Sequence, residues 1–230
     1  MRITSATPLV LSLGLAAMLL LAGCQTARPT ERVIARGEVH EQDGDLEAAI
    51  AEYRSVIDER PGSRSGRFSL GRALVKAGEP LEAREHLEFA HALRPTDDAV
   101  TEWLLRSMVE SGDAEAAIML SRSRVDDDPS SVARWIQYGD VLQGSGDDDL
   151  AEQAYLTASR ASGGESIDAH VALASFYERL GDRPKAVQRL RMAYWLDRDS
   201  AEVRERLESL GEVVGPTLAL QPAEMDAGTR

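Results

Sequence analysis

One interval governs this sequence. Glycine stands at Gly44, Gly78, Gly112 and Gly146, each 34 residues after the last, and Gly181 follows after 35. An acid comes next each time: Asp45, Glu79, Asp113, Asp147 and Asp182. Five residues beyond each glycine lies an alanine, at Ala49, Ala83, Ala117, Ala151 and Ala186, and Pro61, Pro95 and Pro129 keep the same spacing. Four rows with one period describe a stack of identical supersecondary units, each burying a face against the next. Ala, Leu, Glu and Arg dominate and aromatic residues make up 5% of the chain, so the unit is helical rather than stranded.

Each row has a physical task. The glycine ends the first helix of a pair, because it takes the left-handed conformation without steric cost. The acid caps the second helix at the positive end of its dipole, and Pro80 and Pro184 fall in that first turn, where proline is tolerated. The alanine lets two helices approach closely, and the later proline stops the second helix before the next unit. First-helix positions repeat as Leu70-Gly71 with Leu74, Tyr138-Gly139 with Leu142, and Leu173-Ala174 with Tyr177. Second-helix positions repeat as Ala49, Tyr53 and Val56; Ala83, Leu87 and Ala90; Ala151, Tyr155 and Ala158; Ala186, Leu190 and Ala193.

This set resembles the tetratricopeptide repeat (TPR) family over residues 30–200. The resemblance implies an all-α fold, a right-handed superhelical solenoid of five TPR helix pairs at 30–63, 64–97, 98–131, 132–165 and 167–200, with Ser166 as an extra residue. Val203, Leu207 and Leu210, with charged residues between them, predict a C-terminal capping helix over 201–211. Gly215, Pro216, Pro222 and Gly228 then predict a flexible tail, 212–230. The third repeat departs from the pattern: Leu105 replaces the small first-helix residue, and Ser121 and Arg124 replace the large and small second-helix residues. The expectation is a locally shifted helix whose guanidinium reaches solvent, with a deliberate kink or an ion-pair site as the alternative; Asp126 to Asp128 offer a local partner.

The N-terminus carries a different signal. Arg2 precedes an apolar run from Leu9 to Leu21 broken only by Ser12 and Gly14, short for crossing a bilayer, which needs about 20 apolar residues. Leu21-Ala22-Gly23-Cys24 then resembles the lipobox of bacterial lipoproteins. That resemblance implies a signal peptide at 1–23, a palmitate-type acyl anchor on Cys24, and a lipidated N-terminus and short tether at 24–29. Gln25, where the sorting pattern would have Asp for inner-membrane retention, implies the periplasmic face of an outer membrane, or the cell membrane in a single-membrane source. Gln25 to Thr30 reach about 20 Å when extended, keeping the folded part near the bilayer. An uncleaved anchor and an ordinary secretory signal are the alternatives.

A net charge of −13 opposes a non-specific grip on nucleic acid, which needs cations to neutralise phosphates. The single cysteine excludes an internal disulfide framework and a multi-cysteine zinc site. His86 and His91 face different sides of one helix, and Asp147 to Asp149 lack the alternating ligands of a calcium loop. The sequence therefore predicts no metal, cofactor or small-molecule substrate, and no enzyme. Function is expected in the concave groove, where the TPR resemblance implies binding of other proteins or peptides through first-helix side chains. The family's positions fall on Ile34, Glu38, Glu41; Phe68, Arg72, Val75; Glu102, Trp103, Arg106, Val109; Ile136, Asp140; and Val171, Ser175, Glu178. The candidate site is Phe68, Arg72, Val75, Trp103, Arg106 and Val109. Two arginines 34 residues apart, each near an aromatic ring, suit a carboxylate and an apolar anchor of a partner chain. The structural alternative has Trp103 filling core and the arginines paired with Glu38 and Glu102. The expected function is a membrane-anchored interaction scaffold or adaptor in envelope assembly or maintenance. A pilotin-like helper for secretin or type IV pilus assembly, or a peptidoglycan-associated lipoprotein, are the alternatives.

Overall fold

The structure, a computed structural model, describes residues 29–227. The expected signal segment (1–23), Cys24 and most of the expected tether, through Arg28, lie outside the described residues. Among the described residues ten helices pair in succession: α1 (Pro29–Gln42) with α2 (Leu46–Glu59), α3 (Arg64–Lys76) with α4 (Pro80–Leu93), and α5 (Asp98–Glu110) with α6 (Ala114–Asp127). α7 (Val132–Gly144) pairs with α8 (Asp148–Ala161), and α9 (Ile167–Arg179) with α10 (Arg183–Leu196). α11 (Ala201–Ser209) closes the stack, and a single turn, α12 (Glu224–Ala227), follows.

The periodic rows do what their chemistry requires. Gly44, Gly78, Gly112, Gly146 and Gly181 all have φ between 73° and 86°, a conformation closed to most side chains. Asp45, Asp113, Asp147 and Asp182 cap their helices by accepting the backbone N–H three residues on; Glu79 makes no such bond, and Pro80 opens that helix instead. A second row of caps starts the other helices: Ser63, Asp97, Ser131, Ser166 and Ser200 accept in the same way. Ser166, the extra residue of the sequence pattern, is thus the cap of α9.

Helices pack at glycines. A Cβ on Gly37 would sit 2.4 Å from the Tyr53 ring, on Gly71 2.6 Å from Leu87, and on Gly139 2.7 Å from the Tyr155 ring. In the third repeat the partners trade sizes: Leu105 occupies the register of Gly71 and Gly139, and Ser121 that of Leu87 and Tyr155. Both are buried, and Ser121 Oγ donates to Ala117 O at 2.7 Å. α5 and α6 pack less closely than the paired helices of the other repeats. Arg124 does not reach solvent as expected. It is 7% exposed, donates to Pro95 O at 3.2 Å and pairs with Asp98, not with Asp126 to Asp128. Its register is that of Ala90 and Ala158, and the long side chain runs from there to the start of α5, where Pro95 O and Asp98 receive the guanidinium.

The tail also differs from its expectation. Val214, Leu218 and Ala219 pack on the core formed by Val187, Leu190, Tyr194, Val203 and Leu207. Leu220 N donates to Arg191 O at 3.1 Å and Arg191 Nε to Leu218 O at 2.7 Å. Glu224 accepts from Arg189 at 2.7 Å and from Ser159 at 3.1 Å. Over 212–227 the chain is therefore a strap across α8 and α10. Gly and Pro removed helical periodicity there, but Leu218 and Glu224 supplied the apolar and ionic contacts that hold it.

Candidate functional site

Successive first helices, α1, α3, α5, α7 and α9, touch one another along the array, while the second helices splay apart on the outside. This curvature makes the first-helix layer concave. Side chains at one register then form lanes running from repeat to repeat. One lane reads Glu38, Arg72, Arg106, Asp140, Ser175; the next, one turn on, reads Gln42, Lys76, Glu110, Gly144, Arg179.

In the first half of the groove the cations are already engaged. Arg72 donates twice to Glu41, at 3.0 and 2.8 Å, and Lys76 Nζ reaches the same carboxylate at 2.7 Å. The Glu41 side chain is 6% exposed. Burial would raise its carboxyl, but Arg72 and Lys76 outweigh this and hold it below the usual carboxylate range. Tyr53 Oη also donates to it at 3.1 Å, and burial with the neighbouring carboxylate pushes the Tyr53 phenol well up. Arg72 lies 5.5 Å from the Phe68 ring centre, and Lys76 and Arg106 lie 5.7 and 5.4 Å from that of Trp103. Arg106 Nε donates to Glu110 at 2.6 Å, four residues along its own helix.

Of the sequence-derived site residues, the structure sets Arg72 against Phe68 and Arg106 against Trp103, and does not gather all six at one place. The arginines have internal partners, Glu41 and Glu110 rather than Glu38 and Glu102. Phe68 and Trp103 lean half-buried on the core, and Val75, 3% exposed, belongs to the core itself. Val109 turns into a neighbouring concavity.

That concavity, about 590 Å³, lies between the third, fourth and fifth repeats. Its apolar wall is Leu105, Val109 and Val141, and its polar lining includes Glu102, Gln137, Asp140 and Arg179. Asp140 accepts from Tyr155 Oη at 2.6 Å. The carboxyl is open to the groove mouth, yet the surrounding walls displace enough water that desolvation pushes it above the usual range, against the opposing pull of Tyr155 and Arg179. Tyr155 is pushed well up in turn, by burial first and by Asp140 second. Gly144 lets Val109 pack closely on the α7 backbone: a Cβ there would come within 2.7 Å of Val109 Cγ1. Sequence reading placed Asp140 and Val109 on the groove and missed Gln137, Gly144 and Arg179. The lane arithmetic that selected Arg72 and Arg106 would have found Gly144 and Arg179 four residues further along.

Among the described residues no group of His, Cys, Asp or Glu is placed to hold a metal ion. His86 lies 3.0 Å from Arg67 and His91 3.2 Å from Thr101.

Residues 169–204 match the tetratricopeptide repeat family. The chain is similar in structure to a thermophilic TPR protein of Thermus thermophilus, with a TM-score of 0.59 at 20% identity over 79% of this chain and 98% of that one. It is similar also to the MamA protein, with a TM-score of 0.52 at 22% identity over 81% and 98% of the two chains. These likenesses establish the TPR solenoid as the fold. Over 94 residues the sequence is 29% identical to bacteriophage adsorption protein A of Escherichia coli (strain K12), covering 41% of this chain and 10% of that protein. The chain thus spans about a tenth of that relative's length.

Proposed function

We propose that this chain is a non-enzymatic interaction scaffold that holds an extended segment of a partner protein in the concave groove of α1, α3, α5, α7 and α9. The observation that carries the reading is the concavity of about 590 Å³ on that face, which combines an aliphatic wall with polar side chains at its mouth. A solenoid's inner face presents such a surface at a fixed spacing, so a partner segment meets several repeats at once. The TPR fold supports the same class of function. A photocrosslinking residue at Gln137 is expected to capture a partner in intact cells, and one at Glu85, on the outer layer, is not. Equal capture from both positions overturns the groove reading.

The anchoring part of the proposal rests on the sequence alone: Leu21-Ala22-Gly23-Cys24 supports lipid attachment at Cys24, and Gln25 supports the periplasmic face of an outer membrane. Among the described residues no helix is long and apolar enough to cross a membrane. Multiple acyl chains would hold the protein stably, since each buried methylene contributes about 0.8 kcal/mol. Metabolic labelling with a palmitate analogue tests this: Cys24→Ala is expected to abolish labelling and release the protein from membranes. Labelling of that variant, or its unchanged sedimentation, removes the anchor.

A further inference from the structure

The two lanes of the groove differ in one respect between the third and fourth repeats. In α5, Arg106 is answered one turn later by Glu110 at 2.6 Å. In α7 the equivalent positions are Asp140 and Gly144, so the residue that would answer Asp140 has no side chain. Among the described residues the hydrogen-bond donor to the Asp140 carboxylate is the Tyr155 hydroxyl, a neutral group. Arg179 lines the same concavity and pulls on that carboxyl only from a distance, without closing an ion pair among the described residues. The groove's other principal acid, Glu41, is by contrast doubly paired with Arg72 and Lys76.

What remains open beside Asp140 has a shape. Leu105, Val109 and Val141 give the concavity an aliphatic wall, with Val109 seated against the α7 backbone at Gly144. A lysine side chain combines the two features required: a methylene stem for the wall and an ammonium for the acid. Glu102 and Glu110 at the rim, against Arg106 and Arg179, leave the lining with one more negative than positive charge, and the chain as a whole carries −13. A basic partner segment is therefore favoured at long range as well as in contact. The candidate read from sequence, Arg72 and Arg106 clasping a partner carboxylate, has the opposite polarity, and both those arginines are occupied.

Resting on the groove reading above, we propose that the cleft between the third, fourth and fifth repeats is a specificity pocket for a lysine side chain of an extended, basic partner peptide, with Asp140 as its counter-ion and the Leu105, Val109 and Val141 wall as the seat of its methylene stem. Arg179 limits the affinity, since a like charge stands at the far side of the pocket.

The test is an unbiased selection of displayed random peptides on the full chain, then fluorescence polarisation with the enriched sequences. Enrichment of peptides with a fixed basic position is expected. Replacing that Lys by norleucine should weaken binding about tenfold or more on the parent chain and little on Asp140→Asn, because the charge pair is already lost there. Arg179→Ala should tighten binding of the Lys peptide a few-fold and leave the norleucine peptide unchanged. Matching thermal melts by circular dichroism verify that each variant is folded. Peptides that need the groove, judged by loss with Gln137→Trp, but are indifferent to the basic position and to Asp140→Asn, overturn the lysine pocket and leave the groove reading standing. Absence of any groove-dependent peptide overturns both.

Discussion

The third and fourth repeats share one register and solve its packing in opposite ways. In the fourth, Gly139 on the inner helix lets the Tyr155 ring pass beneath it, and the hydroxyl emerges at Asp140 on the concave face. In the third, Leu105 on the inner helix occupies that space, and Ser121 opposite bonds back to its own helix. The exchange conserves bulk across the pair while moving it from the outer helix to the inner one, and of these two repeats the fourth alone then has an aromatic hydroxyl under its groove acid, as the first has Tyr53 under Glu41. The cleft opens where the inverted repeat meets the regular one. A departure from a repeat's rule can thus be a coupled change that shapes the concave face, where the proposed site lies.

The sharpest way to break this comparison is to treat the swap as a unit. Leu105→Gly should destabilise by about 3–5 kcal/mol through lost burial, a cavity and glycine's cost within a helix. Installing Tyr at Ser121 beside Leu105 should cost about 1–3 kcal/mol by overpacking. The double change Leu105→Gly with Ser121→Tyr, which recreates the fourth repeat's arrangement, should recover more than about 1 kcal/mol of the summed single costs in urea unfolding. Strict additivity would mean that the two positions are not coupled.

Arg124 gives the next effect. Truncation to Ala removes a buried side chain and should cost about 2–4 kcal/mol, whereas Arg124→Met, which keeps the volume and loses the charge, should fall within about 1 kcal/mol of the parent. A Met variant as damaged as the Ala variant would assign the guanidinium's pairing with Asp98 a larger share than burial. In the fourth repeat, Tyr155→Phe should cost about 1 kcal/mol by removing the hydrogen bond to Asp140. Arg106→Ala, at an exposed pair within one helix, should change stability by less than about 0.5 kcal/mol.

The groove acid makes the comparison pH-dependent. Desolvation raises the Asp140 carboxyl, so the folded chain holds that proton more tightly than the unfolded chain. The contribution is stabilising below the ordinary carboxylate range and is lost as pH rises through the folded value. Asp140→Asn should therefore match the parent in acid and exceed it in stability near neutrality. A variant less stable than the parent at neutral pH would show that the Tyr155 hydrogen bond outweighs desolvation.

The helices and their pairing were legible because glycine, acid and alanine recur at one interval, and each is dictated by a local backbone or packing requirement. The third repeat's departures were visible as residues but not as a compensation, since neither Leu105 nor Ser121 signals its partner across the helix pair. The groove's lanes were readable as a register. Which cations were already satisfied was not, because Glu41 reaches Arg72 from the preceding repeat, 31 residues away in sequence. The strap at 212–227 was missed for a related reason: its contacts with Ser159 and Arg189 span 65 and 35 residues and leave no periodic trace.

That strap makes the two ends of the array unequal. In a solenoid each repeat leans only on its neighbours, so an end can peel away one helix at a time. Here Glu224 ties to Arg189 in the last repeat and Ser159 in the one before, so the C-terminal helices must open together or release the strap first. At the other end no segment straps across α1 among the described residues, and the Glu41 pairs with Arg72 and Lys76 join it to the next repeat only. Opening should then travel from α1 inward, with amide protons of the first repeat exchanging before those of α8 and α10.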